Sequence, residues 1–338
     1  LKATAGGMTA VCTGSIAVSA AAASKVVITT EPAGTGTAGS NLSTQPVVEI
    51  RDAFDNVINS TNTVSLTAYT NVGCTAASGG TFNGGSKAAV AGVATFTAVN
   101  HELAETVYLK ASEGALTTDC STSVVISAAA ANKLAYSPQP SGTGTAGSNL
   151  ATQPVVDIQD TYGNITTNTD TVTLTAFTNS GCSSASGGTL NGGSKAAVSG
   201  ASTFTALNHE KAETVYLKAA SGGFTTDCST SVVVSAAAGA SLAFTVQQNA
   251  ENLTSTNLTT MPNVQISDAF GNVVDSATDT VTLTPFTNGG CTVAGAGTIS
   301  GGAVAANGSN GTAVFTATQN DTEETVYFKA SSGGMTTD

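Results

Sequence analysis

Apolar and polar side chains alternate in short runs along almost the whole chain. The run TVSLTAY at residues 63–69 places Val64, Leu66 and Ala68 at every second position, and TVYLKAS at residues 106–112 follows the same rule. Successive side chains of a β-strand point to opposite faces, so each run predicts a strand with one buried face. Clusters of Gly, Asn and Ser separate the runs, and no segment has the 3.6-residue period of an amphipathic helix. The pattern predicts an all-β protein.

The runs belong to a long internal repeat. The string GTGTAGSNL occupies residues 34–42 and returns at residues 142–150, which is 108 residues later. A unit of this length is a whole domain and not a solenoid repeat of about 20–50 residues. The string ETVYLKA, written ETVYFKA in its last copy, occurs at residues 105–111, 213–219 and 324–330.

The register of the copies predicts the domain organisation. Residues 1–12 match residues 109–120, so residues 1–23 are expected to form the last two strands of a domain. The predicted whole domains are residues 24–131, 132–239 and 240–338, called repeats 1, 2 and 3 below, and repeat 3 is expected to lack its last strand. About seven strands in each predict two packed antiparallel sheets. Short Ala-rich links favour a semi-rigid rod over loosely tethered domains.

The six cysteines follow the same register. Cys74 and Cys120 are 46 residues apart, as are Cys182 and Cys228, which predicts two disulfides within domains. Zinc sites need close Cys pairs, and the chain has none. Two cysteines remain, Cys12 and Cys291, and each is expected to pair outside this segment, either with a residue of its own domain beyond the segment or with another subunit. Disulfides indicate an oxidising, extracytoplasmic location.

Composition excludes several classes of protein. The formal net charge of −12 gives no electrostatic basis for binding nucleic acid or an anionic membrane. The 41% hydrophobic and 9% charged residues do not fit a disordered acidic tail. No apolar run reaches the roughly 18 residues of a membrane-spanning helix.

Three related strings now indicate a family. QPVVEIRDAFDN at residues 45–56, QPVVDIQDTYGN at residues 153–164 and ISDAFGN at residues 266–272 resemble the tandem bacterial Ig-like repeats of invasin/intimin-type surface proteins and giant adhesins. The resemblance implies Ig-like β-sandwich domains at the cell surface. Such domains serve as spacers, stalks, adhesion modules and fibre building blocks. The paired Cys of each repeat departs from the simplest members of the family.

Candidate chemistry is sparse. The Asp-x-x-Gly-Asn strings could suggest calcium, but no spaced run of oxygen ligands follows, so a side-chain-capped turn with Gly at positive φ is favoured. His101 and His209 are each isolated and are interpreted as loop residues, because no nucleophile–base set recurs with them. We therefore expect no enzyme activity, cofactor or metal. Tyr108, Tyr216 and Tyr327 are expected to point outward, against Thr across the sheet or at an interface.

Eight sequons would mark surface positions if the source glycosylates secreted proteins. They begin at Asn41, Asn59, Asn164, Asn252, Asn257, Asn307, Asn310 and Asn320.

These observations predict an extracellular, cell-surface filament or stalk component whose partners are copies of itself or adjacent repeats of the same chain. In one version the segment belongs to a longer tandem array. In the other, residues 12–19 of one subunit complete repeat 3 of the next by strand addition, with Ile16 and Val18 as the inserted side chains and Cys12 bonded to Cys291. The alternative function is an adhesin that binds a host protein or carbohydrate through the divergent repeat 3.

Overall fold

The computed structural model describes residues 1–248 and 254–337. Within these ranges the chain forms strands, turns and loops, and no helix there could cross a membrane. The alternation of apolar and polar residues becomes alternation of buried and exposed side chains, as in Thr63–Tyr69. The all-β prediction is confirmed.

The strands are numbered in chain order. The N-terminal segment and repeat 1 contain β1 (Lys2–Ala3), β2 (Val11–Cys12), β3 (Ala23–Thr30), β4 (Thr35–Thr37), β5 (Val47–Asp52), β6 (Thr63–Tyr69), β7 (Phe82–Asn83), β8 (Ser86–Ala88), β9 (Val93–Thr95), β10 (Asn100–His101), β11 (Thr106–Ser112), β12 (Asp119–Cys120) and β13 (Val124–Ser127).

Repeat 2 contains β14 (Lys133–Tyr136), β15 (Thr143–Thr145), β16 (Val155–Gln159), β17 (Thr171–Phe177), β18 (Leu190–Asn191), β19 (Ser194–Ala196), β20 (Ala201–Thr203), β21 (Asn208–His209), β22 (Thr214–Ala220), β23 (Asp227–Cys228) and β24 (Val232–Ser235). Repeat 3 contains β25 (Ser241–Val246), β26 (Asn263–Ser267), β27 (Thr280–Phe286), β28 (Ile299–Ser300), β29 (Ala303–Ala305), β30 (Thr312–Val314), β31 (Gln319–Asn320), β32 (Tyr327–Ser331) and β33 (Thr336–Thr337).

Each repeat is an Ig-like sandwich. In repeat 1 one sheet has the order β3-β5-β9 and the other has the order β4-β13-β11-β6-β8. Strand β4 pairs with β13 in parallel, whereas the other pairs are antiparallel. Repeat 2 has the same two sheets, β14-β16-β20 and β15-β24-β22-β17-β19. Repeat 1 has more than the seven strands expected, because short strands such as β7, β10 and β12 add to the main ones.

Repeat 3 keeps the arrangement with fewer strands. Its sheets have the orders β30-β26-β25-β33 and β29-β27-β32. Among the residues described for repeat 3, no strand takes the place that β13 and β24 take in repeats 1 and 2.

The inward side chains of the two sheets form the core of each repeat. In repeat 1 Val48, Ile50, Val64 and Leu109 are almost completely buried, and Phe96 fills the space between the sheets. Burying an aliphatic or aromatic side chain of this size contributes about 1.5–3 kcal/mol. The core therefore fixes the sandwich and orients the loops that carry the contacts described below.

The N-terminal segment forms a separate hairpin. Lys2 pairs with Cys12 across β1 and β2, the register in which Lys110 pairs with Cys120 across β11 and β12. Residues 13–20 form no strand. Ile16 is 63% exposed and Val18 is 91% exposed.

The chain divides into two compact units. The first comprises Leu1–Ala131 and Gln159–Thr166, and the second comprises Asn132–Ile158 and Thr167–Asp338. The domain boundaries and the rod arrangement proposed from the sequence stay predictions.

Candidate functional site

The Asp-x-x-Gly-Asn strings form a capped turn, here called the Asp–Asn turn, at residues 52–56, 160–164 and 268–272. Asp160 Oδ1 accepts hydrogen bonds from the Tyr162 and Asn164 amides, at 2.8 and 2.9 Å. Its Oδ2 accepts the Asn164 side chain and the Ala129 amide, both at 2.8 Å. Gly163 has φ 93°, which glycine adopts without steric cost. The expectation of a side-chain-capped turn with Gly at positive φ is confirmed.

The other two turns are built in the same way. Asp52 accepts the amides of Phe54 and Asn56, and Asp268 accepts those of Phe270 and Asn272. In the first turn Asp55 stands in the place of glycine with φ 68°. An aspartate tolerates this left-handed conformation better than most residues do.

In two of the three turns the Asn also binds a second segment, here called the receptor loop. The receptor loop comprises residues 101–105, 209–213 and 320–324, and the first two of these bind a turn. Asn164 Oδ1 accepts the Ala104 amide at 2.8 Å, and its Nδ2 donates to the Glu102 carbonyl at 2.7 Å. All three residues lie in the first compact unit. The sequence predicts only capping within the turn, because the receptor loop lies far away along the chain.

The contact recurs in the second compact unit. Asn272 Oδ1 accepts the Ala212 amide at 2.8 Å, and its Nδ2 donates to the Glu210 carbonyl at 2.8 Å. Here the contact joins the receptor loop of repeat 2 to the Asp–Asn turn of repeat 3. A primary amide has one acceptor and two donor hydrogens, so it satisfies a backbone N–H and a backbone C=O together.

In the second and third turns an aromatic side chain lies over a glycine beside the receptor loop. A Cβ added to Gly39 would lie 1.9 Å from the Tyr162 hydroxyl oxygen, and one added to Gly147 would lie 2.1 Å from Phe270 Cζ. Gly39 has φ 70° and Gly147 has φ 71°. Glycine is required at both positions, for its backbone conformation and for the space that the ring occupies.

The first Asp–Asn turn carries the same groups without a receptor loop. Phe54 is 78% exposed, against 43% for Tyr162 and 45% for Phe270. Asn56 is exposed, and its side-chain amide donates to both carboxylate oxygens of Asp52. The structure therefore shows two turns bound to a receptor loop, called seated below, and one turn that binds none among the described residues, called open.

A buried histidine supports the receptor loop. His101, only 2% exposed, lies in β10 with its Nε2 2.9 Å from Glu105 Oε1 and 3.3 Å from Ser78 Oγ. The Ser78 hydroxyl also donates to Glu105. His209 makes the same contacts with Ser186 and Glu213. The interpretation of these histidines as loop residues is wrong, because their rings are packed and bonded inside the repeat.

The arrangement differs from a catalytic triad. In a triad the two ring nitrogens bind different partners, the nucleophile and the orienting acid. Here Nε2 of His101 contacts both Ser78 and Glu105, while its buried Nδ1 has no hydrogen-bond partner within the described part of the chain. In repeat 3 Glu324 keeps its place and accepts the amides of Ala296 and Gly297 instead. The constant member is the carboxylate that holds the loop.

The three aspartates of the Asp–Asn turns have lowered pKa values. The Asn56 side chain lowers the pKa of Asp52 to about 2, aided by the amides of Ala21, Asn56 and Phe54 and opposed by burial. Burial raises the pKa of Asp160 and of Asp268, but the hydrogen bonds to each carboxylate outweigh it and the net shift is downward. Among the described residues no group of three or more His, Cys, Asp or Glu side chains could hold a metal ion.

The structure contains two disulfides, Cys74–Cys120 and Cys182–Cys228, with Cα separations of 6.2 and 6.3 Å. Each ties the loop after β6 or β17 to a short strand, β12 or β23, that pairs with β11 or β22. This short strand comes directly before β13 or β24, the last strand of the repeat.

Cys291 has the backbone conformation of a bonded cysteine. Its φ of 47° equals that of Cys74 and of Cys182. Its amide donates to the Asn288 carbonyl at 2.9 Å, the bond that Cys74 makes with Asn71. Cys291 is half-buried and Cys12 is exposed, and neither forms a disulfide within the described ranges.

The outward tyrosines lie opposite aromatic residues and not opposite Thr, which corrects the sequence-based expectation. Tyr108 pairs with Tyr69, Tyr216 with Phe177 and Tyr327 with Phe286. Lysines lie over the partner rings: Lys110 Nζ is 5.5 Å from the Tyr69 centroid and Lys218 Nζ is 5.8 Å from that of Phe177. Cation–π attraction of this kind contributes about 0.5–1 kcal/mol at exposed sites.

The sequon asparagines differ in their exposure and in the hydrogen bonds of their side chains. Asn164 is only 5% exposed and its side-chain amide is fully engaged, so the expected surface position is wrong there. Asn320 donates its Nδ2 to the Thr322 carbonyl and to Glu324. Asn252 lies outside the described residues. The exposed sequon residues are Asn41, Asn59, Asn257, Asn307 and Asn310.

Comparisons with known proteins find similarity among solved structures alone. No protein-family profile and no curated protein matches the chain. Yersinia pseudotuberculosis InvD is 14% identical with a TM-score of 0.35, covering 92% of this chain and 98% of that one. The adhesin InvE of the same organism is 14% identical with a TM-score of 0.28, covering 62% of this chain and 58% of that one.

A Parabacteroides merdae β-glucuronidase is also similar, with 11% identity and a TM-score of 0.23 over 62% of this chain. The chain spans 24% of that enzyme and 58% of InvE. All three TM-scores are below 0.5. The functional argument therefore rests on the residues of this chain.

Proposed function

We propose that this chain is a structural component of an extracellular cell-surface filament or stalk, built from disulfide-linked Ig-like repeats of the invasin/intimin type. It has no enzymatic role, and its partners are adjacent repeats or copies of itself. One observation carries the proposal: the Asp–Asn turn is seated on a receptor loop twice, with the same backbone groups and nearly the same distances.

The seated turn is suited to joining repeats in series. The two hydrogen bonds of Asn272 each contribute about 0.5–1.5 kcal/mol, and the Phe270 ring adds apolar contact over Gly147. The Asp268 carboxylate also accepts the Ala237 amide at 2.9 Å, which fixes the link that enters repeat 3. The contacts of Asn272 and Phe270 with the preceding repeat are here called the joint. A joint that recurs between successive repeats, with the linking segment also fixed, suits an array that transmits tension.

The buried polar clusters serve the same structural role. Hydrogen bonds among His101, Ser78 and Glu105 fix the conformation of the receptor loop. The Ala104 amide and the Glu102 carbonyl are thereby held where they bind the Asn164 side chain. The two disulfides favour a location outside the cytoplasm, where such bonds persist.

The finer form of the proposal is head-to-tail assembly by strand addition. Residues 12–19 of one copy would enter repeat 3 of another, with Ile16 and Val18 as the inserted residues, matching Val124 and Ile126 of β13. Both side chains are largely exposed, and Cys291 already has the backbone of a bonded cysteine for Cys12. The β1–β2 hairpin weighs against this form, because repeat 3 already has the corresponding strand, β32.

Immunogold electron microscopy of the source cells tests the general proposal. Antibody against the chain should label filaments or stalks outside the cell, and label confined to the cytoplasm would refute it. A non-reducing gel tests the finer form. A ladder that collapses on reduction and is absent in Cys12→Ser supports covalent head-to-tail assembly, whereas a single species before and after reduction contradicts it.

A further inference from the structure

Within the described part of the chain, the contact between an aromatic ring of a turn and a glycine beside a receptor loop is formed twice, while the first turn and the last receptor loop each lack the matching partner. Tyr162 lies over Gly39 and Phe270 lies over Gly147, but the open ring of Phe54 lies over no glycine among the described residues. In repeat 3 the position of Gly39 and Gly147 is taken by Ser255. The residue beside the receptor loop is thus glycine in the two repeats that bind a turn and serine in repeat 3.

The rest of the repeat 3 receptor is built for a turn. The Ser255 amide donates to the Asn320 carbonyl at 2.9 Å, as Gly39 does to His101 and Gly147 to His209. Asp321 takes the place of Glu102, whose carbonyl binds the turn, and Glu323 takes the place of Ala104, whose amide binds it. Repeat 3 therefore keeps a backbone carbonyl and a backbone amide at the equivalent positions.

Ser255 closes this receptor with its side chain. Its φ of 54° lies in the same left-handed region as that of the two glycines, so its Cβ projects where the aromatic ring would lie. At Gly39 and Gly147 a Cβ would come within 1.9 and 2.1 Å of the seated ring. A normal carbon–carbon contact is about 3.5–4.0 Å, so a ring could seat on Ser255 only after shifting by more than about 1 Å.

We propose that the Phe54 turn is a docking surface for an Ig-like repeat whose receptor carries glycine, and that Ser255 excludes repeat 3 from acting as that receptor. The partner is a repeat of the same kind as repeats 1 and 2, with glycine at positive φ and a free carbonyl and amide in its receptor loop. Among the described residues the receptors of repeats 1 and 2 are already filled, which leaves that of repeat 3 for the turn of a second copy. This inference rests on the proposed structural function, takes an adjacent repeat as the partner, and counts against head-to-tail joining of copies through the Phe54 turn.

Replacing Ser255 by glycine converts a second copy into the required partner. The variants Ser255→Gly, Ser255→Gly with Phe54→Ala, and the unaltered chain are compared by analytical ultracentrifugation, all carrying Cys12→Ser to remove covalent linkage. Ser255→Gly should self-associate about tenfold more tightly than the unaltered chain, a difference typical of one well-packed aromatic contact. The added Phe54→Ala should abolish the difference.

The matched control is Ser199→Gly. Ser199 is also a serine in the left-handed region, with φ 49°, so its replacement relieves similar backbone strain away from the receptor. It should leave association unchanged. No gain from Ser255→Gly, or a gain that survives Phe54→Ala, overturns the proposal. Equally tight, Phe54-dependent association of the unaltered chain also overturns it, because Ser255 would then exclude nothing. None of these results bears on surface labelling, so the proposed function is tested separately.

Discussion

At the scale of single residues, one asparagine performs two tasks. Asn272 closes its own turn through Asp268, and it binds the amide of Ala212 and the carbonyl of Glu210 in the preceding repeat. Asn56 makes only the first of these contacts. The chain thus contains its own comparison between a turn that only folds and a turn that also joins.

Asn272→Ala should expose the Ala212 amide. With its acceptor lost, hydrogen exchange at Ala212 should accelerate by about tenfold, which corresponds to roughly 1.4 kcal/mol of local protection. Hydrogen–deuterium exchange with mass spectrometry measures this. Asn56→Ala is the control and should leave exchange at residues 210–212 unchanged. Equal effects of the two substitutions would show that Asn272 acts only within its turn.

The aspartates of the turns make the joint sensitive to acid. The pKa of Asp52 is lowered to about 2 and those of Asp160 and Asp268 are lowered as well. A carboxylate with a lowered pKa in the folded state stabilises the fold fully above its unfolded pKa of about 4, and this stabilisation disappears as the pH falls towards its folded pKa. Protection of the linking amides of Ala129 and Ala237 should therefore decline as the pH falls below about 4.

Hydrogen exchange as a function of pH, corrected for the intrinsic rate, checks this prediction. Asp268→Asn should flatten the acid-dependent loss at Ala237 and leave the loss at Ala129 in place. Constant protection of both amides from pH 5 to pH 2 would contradict the assignment.

At the scale of elements, each disulfide fixes a loop across the sandwich. Cys182 and Cys228 are 46 residues apart in sequence and their Cα atoms are 6.3 Å apart. In the loop-entropy model such a bridge stabilises the repeat by about 4 kcal/mol. Under tension the residues between the two cysteines are also shielded from extension.

Single-molecule stretching should detect this shielding directly. Reduction should lengthen the unfolding step of repeats 1 and 2 by roughly 150 Å each, since an extended residue spans about 3.3–3.6 Å. Repeat 3, whose Cys291 is unbonded, is the internal control and should unfold with the same step before and after reduction. Identical steps for all three repeats in both states would show that the bridges carry no load.

The strands could be predicted from the alternation of apolar and polar residues, because this pattern is a property of the local sequence. The residues at which strands end were harder to predict. The alternation of Ala94, Phe96 and Ala98 predicts an inward Ala98, but Ala98 is exposed and Val99 is buried. Strand β9 ends at Thr95, and Gln45 then receives the Val99 amide at 2.8 Å, which shifts the register by one residue. A long-range hydrogen bond of this kind leaves no periodic signal.

For the same reason the sequence predicted only one side of the joint, the capped turn, and not the receptor loop that the turn binds. The capped turn is visible as Asp-x-x-Gly-Asn, but its receptor lies about 60 residues away in sequence, as for Asn164 and Ala104. The available signal was the recurrence of glycine at residues 39 and 147 together with an aromatic two residues after the turn aspartate. Neither residue type is unusual alone, and only their contact in three dimensions gives the pair a meaning.

At the scale of the whole molecule, stability should depend on joints as well as on cores. In arrays of repeats the free energy of unfolding is approximately a sum of intrinsic terms and nearest-neighbour interface terms. In the second compact unit, repeats 2 and 3 share the joint of Phe270 and Asn272. Their unfolding should therefore be coupled through it.

The double variant Phe270→Ala with Asn272→Ala should uncouple these repeats. Without the interface term, repeat 3, which lacks a disulfide among its described residues, should unfold several degrees earlier than in the unaltered chain, as expected for a loss of about 2 kcal/mol in a domain of this size. Differential scanning calorimetry would show a low-temperature transition separating from the main one. Phe54→Ala with Asn56→Ala removes the same two side chains from the open turn and should separate no transition. If Phe54→Ala with Asn56→Ala lowers the unfolding temperature of repeat 1 by as much as Phe270→Ala with Asn272→Ala lowers that of repeat 3, the loss comes from the turn itself and not from a joint, and the proposed array loses its main support.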